Sequence, residues 1–197
     1  MILFLGGLWG LAEATLGYLL HFLPTGVAGM IMFPVAFYLM FNLYKNTGLQ
    51  SAILMAGCVA AGIKLTGLAI PFQPPMSVIN PAVSILLESM VVFAFVKATA
   101  NLEKAYVKTF AMTVSLMVLF VIVQTLITRP AEGLYLLPPV SMAAYILLNG
   151  AVGSLIMGTW LRHPVGTFSM YTRRLSILRS GLLILAAILL EAGTHLI

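Results

Sequence analysis

Long apolar stretches, rather than alternating ones, set the pattern of this chain. Runs near 2–22, 27–44, 51–70, 81–98, 107–128, 141–161 and 177–197 each come close to the ~20 residues that a helix needs to cross a bilayer core. Between them stand short clusters that disfavour helix continuation: Pro24-Thr25-Gly26, Asn46-Thr47-Gly48, the segment 71–80, Arg129-Pro130, Pro138-Pro139 and His163-Pro164. No run shows the period of two expected of a membrane β-strand. In lipid every backbone N–H and C=O must be satisfied within the chain, so the pattern predicts helices. The expected architecture is an all-α, polytopic integral membrane bundle of about six to seven transmembrane helices, a single domain over 1–197.

Composition agrees with that reading. The chain is 61% hydrophobic and only 8% charged, whereas a soluble domain carries about 25% charge. The first run lacks a basic leader and holds Glu13, which favours a mature span over a signal peptide. The lone Cys58 lies in an apolar run, so it excludes a disulfide framework and a thiolate metal site and reads as a small packing residue.

The net charge of +5 at first suggests nucleic acid. Its distribution excludes that partner. Alternate connections place Lys45, Lys97, Lys104, Lys108, Arg162, Arg173, Arg174 and Arg179 on one side and only Arg129 on the other. The positive-inside rule then puts the N-terminus on the cytoplasmic side, with lipid as the chain's surroundings. On the inner side Phe168, Tyr171, Leu175 and Leu178 share a helical face flanked by Arg173 and Arg174, which fits positive-inside anchoring or an interfacial helix. The outer connections, notably 70–76 and 133–139, are rich in proline and apolar residues. They read either as stiff turns or as covers that fold back over the bundle.

Ionisable groups inside hydrocarbon cost about 2.5–3.5 kcal/mol each on insertion scales, so each needs a partner, water or ligand. Glu13 lies near mid-depth of its run, Lys64, Glu88, Glu191 and His195 fall in the outer half of theirs, and His21, Gln124 and Asn149 also lie on the outward side. Glu13, Gly17 and His21 follow i, i+4, i+8 spacing and so share one face of the first helix. Gly57, Ala60 and Lys64 share a face of the third, which points to a Lys64 ion pair with Glu13 or Glu88. Glu13, His21, Lys64, Glu88, Gln124 and Asn149 are therefore the candidate substrate-binding residues. Glu191 and His195 lie one turn apart but do not by themselves make a metal site, and no metal or other cofactor is expected. The chain carries no Walker loop, GxSxG or HExxH, hence no recognisable ATPase or hydrolase machinery.

Small residues recur at close-packing spacing: Gly6, Gly10 and Ala14; Ala52, Ala56 and Ala60; Gly150, Ser154 and Gly158. Such stripes let helices approach closely in lipid, either within the chain or against another membrane subunit. With these features the chain resembles the S components of energy-coupling factor transporters, the subunits that capture vitamins and metal ions for prokaryotic uptake. The likeness rests on size, N-in topology, outward polar groups, covering loops and the small-residue stripes. It implies a place in a prokaryotic inner (plasma) membrane, and a transmembrane coupling protein and two cytoplasmic ATPases as partners. It also implies docking through Ala52, Ala56 and Ala60, or through Gly6, Gly10 and Ala14. Metal-type members begin Met-His, whereas this chain begins Met1-Ile2-Leu3, so nickel or cobalt is not favoured.

The function expected from sequence is thus a non-enzymatic substrate-binding membrane subunit for a small polar ligand. The alternatives are a small intramembrane enzyme acting on a lipid or isoprenoid, with Glu13 or Glu88 as general base, and a passive helical scaffold.

Overall fold

The computed structural model describes residues 1–20, 22, 27–71, 74–100, 103–130, 133–163 and 177–194. These form seven helices: α1 (Ile2–Leu20), α2 (Val27–Thr47), α3 (Ser51–Ala69), α4 (Pro75–Ala100), α5 (Ala105–Thr128), α6 (Pro139–Arg162) and α7 (Ile177–Thr194). No strand occurs among the described residues. The first six helices are long and apolar enough to cross a membrane, which marks a multi-pass membrane protein. Large apolar side chains remain exposed around the outside, among them Leu126, Val140, Leu155, Leu182 and Leu189. In water so much apolar surface would drive association; against acyl chains it is matched.

The helix ends follow local chemistry. Gly48 takes a left-handed conformation (φ 66°) and its N–H donates to Tyr44 O at 2.8 Å, closing α2 at the break expected from sequence. Arg129, also left-handed (φ 39°), ends α5 by donating its N–H to Gln124 O at 2.9 Å. α4 and α6 begin earlier than hydropathy indicates, at Pro75 and Pro139, because a proline in the first turn lacks an N–H that would be unpaired there anyway. Pro81 and Pro34 then fall inside α4 and α2, where each removes a backbone hydrogen bond.

α2 lies at the centre, packed on α1, α3, α4 and α6 and contributing the fully buried Phe33, Phe37, Met40 and Leu43. Around it α7 packs on α1 and α3, α1 on α3, α3 on α4, α4 on α5, and α5 on α6. The small-residue stripes are the contact surfaces of this ring. A Cβ on Gly6 would stand 2.9 Å from Ala56 O and from Val59 Cβ, and one on Gly10 would press on Ile63. Across the bundle Gly150 backs onto Phe110 and Val114, and Gly158 onto Tyr106.

Gly6, Gly10, Ala14, Ala52, Ala56 and Ala60 are all buried within the chain. The expectation that they dock another subunit is corrected on this ground: α1 and α3 have already closed on each other. Cys58 departs from its expected packing role too, since it is exposed on the outer face of α3.

Hydroxyls within the apolar helices are satisfied locally. Thr15, Thr109 and Thr113 each donate to the carbonyl four residues back, at 2.8–2.9 Å. Ser154 reaches across to donate to Tyr106 O at 2.9 Å, tying α6 to α5.

Candidate functional site

Two helices depart from α geometry where a polar side chain enters the bundle. In α1 the stretch Glu13–Gly17 is π-helical, and in α5 the stretch Gln124–Thr128 is π-helical. Each widened turn begins with a polar residue, Glu13 or Gln124. A π-turn accommodates one extra residue and rotates the side chains that follow it, so a helix can carry a lipid-matched face and still aim a polar group inward.

Both side chains line a cavity of about 230 Å³. Its walls come from one half of the bundle: the later part of α1, the early part of α2, the early part of α4, the later part of α5 and the early part of α6. α4 contributes Asn80, Ser84 and Glu88, one helical turn apart, and α6 contributes Tyr145. Met32, Phe33, Ile85, Met117 and Phe120 make the apolar walls. Gly133 and Leu134, in the connection between α5 and α6, complete the lining. That segment is held in place by Gln124, whose Oε1 accepts a hydrogen bond from Leu134 N at 2.9 Å, and by Tyr135, which donates to Pro130 O at 3.0 Å. The 133–139 connection, read from sequence as a turn or a cover, does contribute to the cavity wall.

The two carboxyl groups at the cavity are held differently. Glu13 Oε1 accepts from Trp9 Nε1 at 3.3 Å, and Gly17 leaves room for its other oxygen, since a Cβ there would lie 3.3 Å from Oε2. Glu88 Oε1 accepts from Ser84 Oγ at 3.3 Å, while Glu88 Oε2 is buried without a hydrogen-bond partner among the described residues. Glu88 is only 5% exposed. A buried polar atom normally has a partner, and leaving one unpaired costs about 1–3 kcal/mol, so such an exception calls for an explanation.

Lys64 does not pair with Glu13 or Glu88 as its primary contact. It forms an ion pair with Glu191 of α7, Nζ to Oε1 at 2.8 Å, with the two side chains 10% and 1% exposed. The sequence anticipated a carboxylate partner but selected the wrong one, because pairing between α3 and α7 leaves no periodic trace in either helix. Of the candidate binding residues, Glu13, Glu88 and Gln124 line the cavity, whereas Lys64 and Asn149 do not. Asn149 is buried one turn behind Tyr145 and donates its amide to Tyr145 O at 2.9 Å. His21 and His195 lie outside the described residues, as do Phe168, Tyr171, Arg173, Arg174 and Leu175.

Asn80, Ser84 and Tyr145 were not singled out from sequence. For α4 the signal was present: Asn80, Ser84 and Glu88 repeat at i, i+4, i+8 in an otherwise apolar helix, as Glu13 and Gly17 do in α1. Tyr145 carried none, because a tyrosine near a span end is ordinary at a membrane interface.

The arrangement can bind a small molecule with an apolar body and a hydrogen-bonding head. Among the described residues no group of three or more His, Cys, Asp or Glu side chains comes together as a metal site. The chain matches no protein-family model, no curated protein and no solved structure.

Proposed function

We propose that this chain is the substrate-binding membrane subunit of a prokaryotic small-molecule uptake transporter, energised by partner ATPase subunits. The observation that carries this reading is Glu88, which places a buried and unpartnered carboxyl oxygen in a cavity inside the bundle. Glu191 has a cation, Lys64, on its Oε1, whereas the Oε1 of Glu88 has only the Ser84 hydroxyl, so Glu88 is the buried carboxyl of the cavity without a positive partner among the described residues. The size of the cavity supports a compact substrate, since about 230 Å³ falls just below the roughly 300–1,000 Å³ of pockets for drug-sized ligands.

In this reading the cavity end faces outward, and the basic end, with Lys45, Lys97, Lys104, Lys108 and Arg162, faces the cytoplasm with the N-terminus. A coupling protein and two ATPases would supply the energy. Their docking face is not the Gly6 or Ala56 stripe, which α1 and α3 fill for each other.

Native mass spectrometry of the gently purified full chain tests the reading. The expected result is a retained small molecule that Glu88→Leu releases, with the unfolding midpoint unchanged or raised because a buried carboxyl with one unpartnered oxygen has been removed. Co-purification of ATPase subunits would complete the picture. A parallel loss of ligand and fold on Glu88→Leu would overturn the reading. Turnover of a lipid by the purified chain alone would replace it with the intramembrane-enzyme alternative.

A further inference from the structure

The lining of the cavity is one-sided in charge. Glu13 and Glu88 are its only ionisable carboxyl groups, and no lysine, arginine or histidine side chain belongs to it among the described residues. The nearby buried cation, Lys64, is engaged at 2.8 Å by Glu191 on α7. Gln124, whose Oε1 accepts from Leu134 N, can offer an anion no more than neutral amide N–H donors. An anionic ligand would therefore meet two carboxyl groups, with the neighbouring cation Lys64 already bound to Glu191.

A transition metal fits poorly as well, because the described residues bring no third His, Cys, Asp or Glu to the two carboxyl groups. The remaining surface is apolar and aromatic, with Phe33 and Phe120 on the walls and Tyr145 beside them. Aromatic faces attract cations, and more strongly once water is removed. Glu88 adds a directional requirement. Its Oε2 is buried and lacks a donor, while Oε1 is already taken by Ser84.

We infer that the cavity selects a small organic cation whose positive group carries N–H donors, a protonated amine or guanidine, with Glu88 Oε2 accepting from it, Glu13 as second counter-charge and the aromatic walls holding its apolar body. The inference rests on the substrate-binding reading and names the chemical class of the substrate. A quaternary ammonium offers the charge without the hydrogen, so it satisfies the walls but not Glu88.

The test uses the full chain in lipid nanodiscs and a matched library in which each small carbon skeleton appears as primary amine, guanidine, alcohol, carboxylate and trimethylammonium compound. Binding is read by thermal stabilisation and confirmed by calorimetry. The expected result is that amines or guanidines bind, that their trimethylammonium and alcohol counterparts bind more weakly by about tenfold to a hundredfold, and that carboxylates do not bind. Glu88→Gln keeps the shape and the hydrogen-bonding capacity but removes the charge, and it should weaken the amine by a similar factor. Glu13→Gln provides a second variant if Glu88→Gln does not fold.

Retention of full amine affinity in both folded variants would overturn the inference. Preferential binding of carboxylates or alcohols would also overturn it, while leaving the substrate-binding reading standing. Failure of every class to bind would overturn both.

Discussion

Lys64 on α3 and Glu191 on α7 meet at 2.8 Å in the interior of the bundle, and the contact pins the last helix to the rest of the chain. Neither side chain can be removed alone without stranding its partner. Truncating one member of a buried pair typically costs about 3–5 kcal/mol, whereas replacing both with apolar side chains is often neutral. Lys64→Met and Glu191→Leu should each lower the denaturation midpoint and yield sharply. The double variant should recover most of the loss and still bind ligand. A double variant as unstable as the singles would show that the two side chains do not act as a pair.

Gly17 controls where the Glu13 carboxyl sits. A Cβ at this position would lie 3.3 Å from Glu13 Oε2, and the larger side chain of Gly17→Val would push the carboxyl out of place. Ligand affinity should fall about tenfold as the carboxyl moves and its hydrogen bond from Trp9 is disturbed, with a smaller effect on the unfolding midpoint. Calorimetry on the folded variant reads the first quantity and a chemical melt the second. Unchanged affinity would remove Glu13 from the binding site.

Gln124 holds the covering segment through Leu134 N. Gln124→Ala leaves a buried N–H without an acceptor, at a cost of about 1–3 kcal/mol, and frees the 133–134 wall. Ligand should then dissociate faster with a smaller change in its rate of arrival. Gln124→Glu, which retains the acceptor, should restore slow release. Stopped-flow measurement of both rates decides the matter; equal dissociation from Gln124→Ala and the parent would dismiss the segment as a cover.

Gly6 and Gly62 make a controlled pair. Gly6→Ala places a methyl 2.9 Å from Ala56 O and from Val59 Cβ, neither of which can swing aside, and overpacking of this kind costs about 1–3 kcal/mol. At Gly62 nothing lies within 4 Å, so Gly62→Ala meets open space on the outer face of α3. There the better helix propensity of alanine should leave stability equal or raise it by up to about 1 kcal/mol. Equal effects at the two sites would contradict the closure of α1 on α3.

Spans and breaks were legible in the sequence because hydropathy and helix-breaking residues act locally: Gly48 ends α2 and Arg129 ends α5 where the chain composition says a helix must stop. Glu13, Glu88 and Gln124 were legible because a polar group in an apolar run stands out whatever surrounds it. Partners were harder. The spacing of Gly6, Gly10, Ala52 and Ala56 announces that some backbone comes close, but not whose, and Lys64 announces a carboxylate but not which. Those facts belong to the order of helices around α2. The π-turns at Glu13 and Gln124 were hidden for a related reason, because an extra residue in a turn shifts the phase of a pattern without changing its composition.

Irregular backbone is not spread evenly along the bundle. The widened turns at Glu13–Gly17 and Gln124–Thr128, the tightened turns at Thr66–Ala69 and Leu134–Leu136, and the interrupted ladders at Pro34 and Pro81 all fall at the cavity end. Toward the other end the helices are regular and interlocked through contacts such as Gly158 on Tyr106. The walls of the proposed binding cavity are thus built where the strict α ladder is relaxed, and the opposite end keeps the order of the helices.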